Sequence, residues 1–138
     1  MHGPVPRDWS YRLPNKMRRG ALRSALSERL REGNLIVLDE IQLKEAKTKE
    51  FISLMNTLEL ADGKKQTKTL IVDELDNNNL VLGSRNVKKT KVVNSYGVSI
   101  YDIIYHEKLV LSKSAAEALN ELLDPSKEKK SGSVKEAA

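Results

Sequence analysis

The chain has 138 residues and a formal net charge of +5; 39% of its residues are hydrophobic and only 4% aromatic, which predicts one domain with an aliphatic core. It has no cysteine and two histidines, which excludes disulfides, thiolate zinc sites, a cysteine nucleophile and a histidine-rich metal cage. No secretory signal and no apolar run near the ~20 residues of a membrane span occur, so we expect a soluble intracellular protein without a membrane partner.

Positive charge is concentrated at the two ends of the chain. Residues 1–31 hold eight Lys and Arg against two acids, residues 32–124 hold twelve against fifteen, and residues 125–138 hold four against two. Such an excess over one short segment indicates a polyanion partner. A membrane surface fits less well, because the segment lacks the bulky apolar face of an interfacial helix. A basic solvated surface without a partner is the alternative.

Residues 1–14 are predicted to form an extended basic arm, because three prolines disfavour helix at the residue before each of them. Cations alternate with rings at Arg7, Trp9, Tyr11 and Arg12. This mixture is typical of RNA binding, since rings stack on bases while guanidinium groups meet phosphates. In the alternative interpretation, the two rings anchor the arm onto the domain.

Residues 15–32 are predicted to form a helix, with Asn15 as its N-cap and a Gly-Asn pair after its end. Its aliphatic stripe consists of Leu22, Leu26 and Leu30, with Ala21 and Ala25 beside them. At about 100° per residue, Lys16, Arg19 and Arg23 fall together on one flank of this stripe.

Four short apolar runs follow and predict four strands. They lie at residues 35–38, 69–72, 91–93 and 109–111. Runs without polar alternation are typical of strands covered on both faces, as in a parallel sheet.

Each predicted strand is followed by a predicted helix. Thr48 caps the first of these helices, residues 77–86 form the second, Ser99 caps the third, and the capping-box spacing of Ser114 and Glu117 begins the last. This order predicts an α/β fold, a three-layer α/β/α sandwich with a four-stranded parallel sheet.

The predicted domain extends from residue 15 to residue 124. Residues 125–138 contain one valine and no aromatic ring, which predicts a disordered tail.

Acidic and polar residues follow the predicted strands at their carboxyl ends. They are Asp39, Glu40, Asp73, Glu74, Ser112 and Lys113. Ligands of an open parallel sheet bind beyond these ends, and oxygen ligands that converge there suit Mg²⁺. The pattern resembles a magnesium-dependent phosphoacceptor-like signalling domain, which is the alternative function. Acids are also expected here without any ligand, because solvated loops begin where strands end.

The sequence contains none of the common catalytic motifs. It has no G-x-G-x-x-G, no G-x-S-x-G and no second histidine at the spacing of a zinc protease. The run GKKQT at residues 63–67 lacks the first glycine and the Ser/Thr of a phosphate-binding loop. We therefore predict a protein that is not an enzyme and has no cofactor, metal ion or small-molecule substrate.

A resemblance to a known family begins in the basic segment. Residues 2–27, HGPVPRDWSYRLPNKMRRGALRSALS, closely resemble a segment of bacterial-type large-subunit ribosomal protein four, the L-four family. The resemblance continues at residues 35–40, 47–51, 69–72, 84–86 and 108–113, and it reaches about Leu123. The first run is long and specific, whereas the strand runs alone are not. Ala46 departs from the family pattern, which has proline before K-T-K.

The resemblance implies a three-layer α/β domain that binds large-subunit rRNA beside neighbouring ribosomal proteins, on cytoplasmic or organellar ribosomes. Family members also carry an N-terminal section and a long basic loop that reaches the polypeptide exit tunnel. This chain begins at the far end of that loop, so we expect no tunnel-lining role for it.

The resemblance also implies which residues contact rRNA. On the arm and the first helix they are Arg7, Arg12, Lys16, Arg18, Arg19 and Arg23. Further along the chain they are Lys47, Thr48, Lys49, Arg85 and Asn86. The first three of these lie at a helix start, where free N–H groups favour phosphate. Ordinary solvated lysines are the alternative at Lys47 and Lys49, and Arg18 lies near the leucine stripe, where its stem would cover the core.

Overall fold

The computed structural model describes residues 2–62, 65–74 and 77–127. Its elements in chain order are α1 (Asn15–Arg31), β1 (Leu35–Leu38), α2 (Thr48–Thr57), β2 (Ala61–Asp62), β3 (Lys65–Gln66), β4 (Thr69–Val72), α3 (Asn78–Ser84), β5 (Thr90–Val93), α4 (Ile100–Tyr105), β6 (Lys108–Ser112) and α5 (Lys113–Leu122). A helix followed by four strand–helix units is confirmed. The antiparallel pair of β2 and β3 was not predicted. Most of the predicted tail, from residue 128 onward, lies outside the described residues.

The main sheet is parallel and has the strand order β1-β6-β4-β5. In its centre, Val110 of β6 lies opposite Ile36 of β1 and Ile71 of β4, while Ile71 lies opposite Val92 of β5. The two central strands are almost wholly buried and the two outer strands are half-buried. Burial on both faces explains why these segments are apolar without alternation, and the predicted α/β fold is confirmed.

Helices cover both faces of the sheet. Successive side chains of a strand point to opposite sides, and both sets are apolar here, so each face packs against helices. On one side, Ile71 packs into a cluster with Phe51 of α2 and with α3. On the other side, Leu70 and Val72 pack into a cluster with Leu119 of α5, with α4 and with α1. The sheet is therefore the middle of three layers, with α2 and α3 on one face and α1, α4 and α5 on the other.

Helix α1 ends as the sequence predicts. Gly33 has φ of 74°, which glycine adopts without steric cost. The Gly33 N–H donates to the carbonyl of Leu30 at 3.1 Å, and the Asn34 N–H donates to that of Arg29 at 3.0 Å. This pair of hydrogen bonds is a Schellman motif, and it directs the chain into β1.

The predicted N-cap of α1 is wrong by one residue. Pro14 occupies the cap position, and its carbonyl accepts hydrogen bonds from Met17 and Arg18. Asn15 is therefore already the first helical residue, and no side chain caps the helix. Residues 15–19 are all exposed, so the first turn of α1 makes little contact with the sheet.

Capping differs from the prediction at two further helices. Lys47, not Thr48, is the N-cap residue of α2, and no side chain caps that helix. Ser112, not Ser114, caps α5 by accepting the N–H three residues ahead of it. Ser112 ends β6 in extended backbone, which is the conformation of an N-cap, so α5 follows the strand without a loop. The predicted cap of α4 by Ser99 is confirmed.

Candidate nucleic-acid interface

The arm, residues 2–14, has no helix or strand and lies almost wholly in solvent. The side chains of Trp9 and Tyr11 are 82% and 83% exposed. The alternative interpretation, in which these rings anchor the arm onto the domain, is therefore wrong.

The acid of the arm bonds locally and does not pair with the arginines of the arm. The carboxylate of Asp8 accepts hydrogen bonds from the Ser10 N–H at 3.0 Å and from the Ser10 hydroxyl at 2.5 Å. These two bonds hold the pKa of Asp8 below its usual value. Arg7 and Arg12 are exposed and make no hydrogen bond or ion pair with any other residue that the structure describes.

The predicted cations of α1 fall into two groups. Lys16 and Arg18 are exposed, and within the described part of the chain neither side chain has a hydrogen-bond or ion-pair partner. Arg23 is half-buried, and its Nη1 donates to the carbonyl of Leu123 at 3.3 Å. Arg19 lines a groove between α1 and the end of α5 and also has an intramolecular partner.

The position of each cation around α1 follows from the helical period. Lys16, Arg19 and Arg23 are three and four residues apart and share one flank, and the structure places Arg19 and Arg23 together beside the end of α5. Arg18 lies about 100° away around the helix. It is exposed, so its stem does not cover the core. Cations thus surround the first turn of α1 instead of forming a single row.

One arginine of α1 that the prediction omitted stabilises the fold. Arg29 donates from Nε to the carbonyl of Ile103 at 3.2 Å and from Nη2 to that of Ile104 at 3.0 Å. It also pairs with Glu32 at 2.9 Å. Because α4 has no basic residue in its own last turn, this guanidinium takes the place of a C-terminal cation.

The remaining predicted residues form a second surface, the α2–α3 patch. It consists of Lys47, Thr48, Lys49, Arg85 and Asn86, all of which are exposed. The start of α2 and the end of α3 are close together, since a Cβ at Gly83 would lie 3.4 Å from the carbonyl oxygen of Lys47. The ammonium of Lys47 pairs with Glu45.

The two surfaces lie on opposite faces of the sheet. Helix α1 packs on the side of Leu70 and Val72, whereas α2 and α3 pack on the side of Ile71. The structure therefore brings the predicted residues together in two groups, the arm with α1 and the α2–α3 patch, and the sheet separates the groups.

The acids at the carboxyl ends of the strands line one cavity of about 400 Å³, as the sequence predicts. Its lining includes Asp39, Glu40, Asp73, Glu74 and Ser112. The carboxylate of Asp73 accepts from Asn77 at 3.0 Å, and the hydroxyl of Ser112 caps α5. Lys113 is exposed on α5. Among residues 2–62, 65–74 and 77–127, no three His, Asp or Glu side chains are grouped to hold a metal ion.

No helix in the described part of the chain is both long enough and apolar enough to span a bilayer.

Comparison with known proteins places the chain in a family. The Ribosomal protein L4/L1 family matches residues 1–122. This chain is also similar to three proteins named large ribosomal subunit protein uL4. It is 40% identical to that of Moorella thermoacetica, 42% to that of Lactobacillus acidophilus and 45% to that of Desulfotalea psychrophila, each over 121 residues. These matches cover 88% of this chain and 56%, 56% and 54% of the relatives, so the chain spans about half their length. The resemblance read from residues 2–27 is confirmed: this chain belongs to the ribosomal protein L4/L1 family.

Proposed function

We propose that this chain is a non-enzymatic, structural component of the large ribosomal subunit and binds rRNA through its arm and α1. The observation that carries the proposal is a group of exposed cations without intramolecular partners among the described residues: Arg7, Arg12, Lys16 and Arg18. Like charges held close together repel one another, and a polyanion relieves that repulsion. Family membership supports rRNA as the polyanion.

The start of α1 adds to this attraction. The helix has no side-chain cap and no acid in its first turn, whereas Lys16, Arg18 and Arg19 lie there. Basic residues at the positive end of a helix dipole are unfavourable, and a phosphate placed there interacts well with both the dipole and the side chains.

The exposed rings of the arm fit the same partner. Trp9 and Tyr11 alternate with arginines, and both present most of their surface to solvent. Unpaired RNA bases stack on such rings, while guanidinium groups bind the flanking phosphates. We propose that the arm binds a single-stranded or looped part of the rRNA.

The α2–α3 patch supplies the second part of the proposal. Lys49 and Arg85 are exposed and have no partner within the described ranges, whereas Lys47 already pairs with Glu45. We expect the unpaired cations to contribute more than Lys47. Because the patch faces away from α1, rRNA bound to both surfaces would enclose the domain, beside neighbouring ribosomal proteins.

The test replaces three exposed cations that have no described partner. The variant Arg7→Gln/Arg12→Gln/Lys16→Gln is compared with Arg31→Gln/Lys44→Gln/Lys113→Gln, which removes the same charge from exposed positions outside the arm and the first turn of α1. Affinity for a Moorella thermoacetica large-subunit rRNA transcript is measured between about 50 and 200 mM salt, and the first variant should lower the slope of log K against log salt by about 2.

The matched control decides the outcome. We expect the control triple to keep most of the affinity and nearly the wild-type slope. Equal losses in the two triples would mean that overall charge alone governs binding. An arm triple with unchanged affinity would contradict the assignment of this surface to rRNA.

A further inference from the structure

A row of lysines lies at the amino edge of the sheet, which is the edge where the four parallel strands begin. Lys108 begins β6, Lys68 directly precedes β4, and Lys89 directly precedes β5. The strands are neighbours in the order β6-β4-β5, and Thr69 lies opposite both Thr90 and Lys108. Lys68 and Lys89, each one residue before this level, therefore lie at about the 4.8 Å strand separation, and Lys108 follows one residue further along β6. With Lys88, they form what we call the amino-edge row.

Backbone hydrogen bonds hold this row in register. The N–H of Thr69 donates to the carbonyl of Lys89 at 2.9 Å, and the N–H of Lys108 donates to that of Lys68 at 3.0 Å. The backbone positions of Lys68, Lys89 and Lys108 are therefore set by the sheet, whereas Lys88 lies in the turn that precedes β5.

Two stacked rings of α4 lie beside the row. The Nζ of Lys68 is 4.2 Å from the ring centroid of Tyr105. The Tyr105 ring stacks on that of Tyr101, with 5.7 Å between centroids and 12° between planes. Tyr101 is 71% exposed, so it is the ring of the pair that is open to a further stacking partner.

The row retains most of its positive charge. Lys88 and Lys89 are exposed, and their ammonium groups have no hydrogen-bond or ion-pair partner among the residues that the structure describes. Lys108 bonds to the neutral side chain of Asn34 at 2.9 Å. Glu107 is the acid next to the row, whereas the nearby Asp102 is occupied by Lys91 at 2.9 Å.

We propose that the amino edge is a third RNA-binding surface, on which the amino-edge row binds the phosphates of one strand and Tyr101 stacks on an unpaired base. Cations that alternate with exposed rings are the chemistry of single-stranded nucleic acid binding. A protein partner fits less well, because lysine is depleted at protein interfaces. The proposal rests on the rRNA-binding function proposed above and adds a surface to it.

This surface is remote from the arm. Helix α1 has 17 residues, and at 1.5 Å per residue it is about 25 Å long. Its last turn lies at the amino edge, since Arg29 bonds to the end of α4. The arm lies at the other end of this helix, so variants of the two surfaces act on separate contacts.

The first experiment compares two pairs of substitutions in the full chain. Lys88→Gln/Lys89→Gln acts at the amino edge, and Lys44→Gln/Lys113→Gln removes the same charge at the opposite edge. With the Moorella thermoacetica rRNA transcript as probe, we expect the first pair to weaken binding several-fold and to lower the salt slope by about 1–2. The second pair should bind like the wild type.

Two single variants separate the contacts from the fold. Lys89 has φ of 61°, a conformation that suits glycine, so Lys89→Gly should weaken RNA binding without lowering the melting temperature. Tyr101→Leu should weaken binding about five-fold or more through lost stacking, with an unchanged salt slope.

The arm triple serves as the reference for both proposals. If it weakens binding while Lys88→Gln/Lys89→Gln and Tyr101→Leu do not, the amino-edge proposal is wrong and that edge is better tested with a protein partner. If the two lysine pairs lose affinity equally, the amino-edge proposal is also wrong, because charge alone explains the loss. If the arm triple binds normally but the amino-edge variants do not, the arm assignment fails and the amino-edge proposal stands.

Discussion

The arm and the sandwich use similar side chains in opposite ways. Trp9 of the arm is exposed, whereas Phe51 of the sandwich is completely buried. Arg7 has no partner in the described part of the chain, whereas Arg29 binds two backbone carbonyls and a carboxylate. Residue type alone therefore does not distinguish a side chain that stabilises this fold from one that is available to a partner; the contacts do.

The largest expected effect is a difference in folding stability between variants of two aromatic residues, Phe51 and Trp9. Phe51→Ala should lower the free energy of unfolding by about 3–5 kcal/mol, because it leaves a cavity among buried side chains. Trp9→Ala should change it by less than about 0.5 kcal/mol, because its ring contacts mainly water. Urea unfolding followed by far-UV circular dichroism measures both. A destabilisation by Trp9→Ala close to that of Phe51→Ala would show that the arm packs on the domain.

A smaller effect separates two arginines of the same helix. Arg29→Ala should cost about 1.5–3 kcal/mol, because it removes charge-assisted hydrogen bonds to the carbonyls of Ile103 and Ile104. Arg31 is largely exposed and pairs with Glu28 on the helix surface, so Arg31→Ala should cost at most about 0.5 kcal/mol. The same urea titration serves both variants, and equal costs would contradict the structural role of Arg29.

The smallest expected effect depends on pH and involves Asp102. Burial alone would raise the pKa of this carboxyl, but hydrogen bonds from Lys91 and Ser99 and the charge of Lys91 lower the pKa below its usual value. A depressed pKa in the folded state stabilises the fold above the unfolded value and loses that contribution as the pH falls through the folded value. Asp102→Asn should therefore be less stable than wild type near pH 6, and the difference should shrink below about pH 4.

Asp8→Asn is the control for this pH experiment. The pKa of Asp8 is also lowered, by its two hydrogen bonds from Ser10, but these bonds lie within the exposed arm. The unfolding curve of Asp8→Asn should therefore match that of wild type at each pH. A difference between wild type and Asp102→Asn that stayed constant down to pH 3 would mean that the Lys91 pair does not titrate as described.

The four strands of the main sheet could be predicted, because burial on both faces leaves a continuous apolar run such as that at residues 69–72. Their order in the sheet, β1-β6-β4-β5, was not predicted. The cap positions of the helices and the shortest strands could not be predicted, because they depend on the backbone conformation of single residues. Whether Pro14 or Asn15 occupies the cap of α1 depends on where one extended residue lies, and the preference of asparagine for the cap position favoured Asn15, whereas the structure has Pro14 there. The two-residue strands β2 and β3 are too short to produce a hydrophobic period.

Contacts between distant parts of the chain were also beyond the sequence patterns. Arg29 contacts Ile103 and Ile104 only when α1 and α4 pack together, so the sequence did not distinguish its structural role from that of an exposed basic residue. The amino-edge row draws its lysines from three separate segments, and only the strand order makes them neighbours. The separation of α1 from the α2–α3 patch likewise follows from which face each helix covers.

The position of β6 in the sheet has a consequence for biosynthesis. Among the described strands, β1 pairs only with β6, which is the last of these strands to be translated. A nascent chain therefore has β1 without a neighbour until residues 108–112 have emerged, and contacts of such long sequence separation slow folding. Residues 2–31, which carry the cations of the proposed RNA-binding surface, are translated before β6, so they leave the ribosome before β1 can pair with β6.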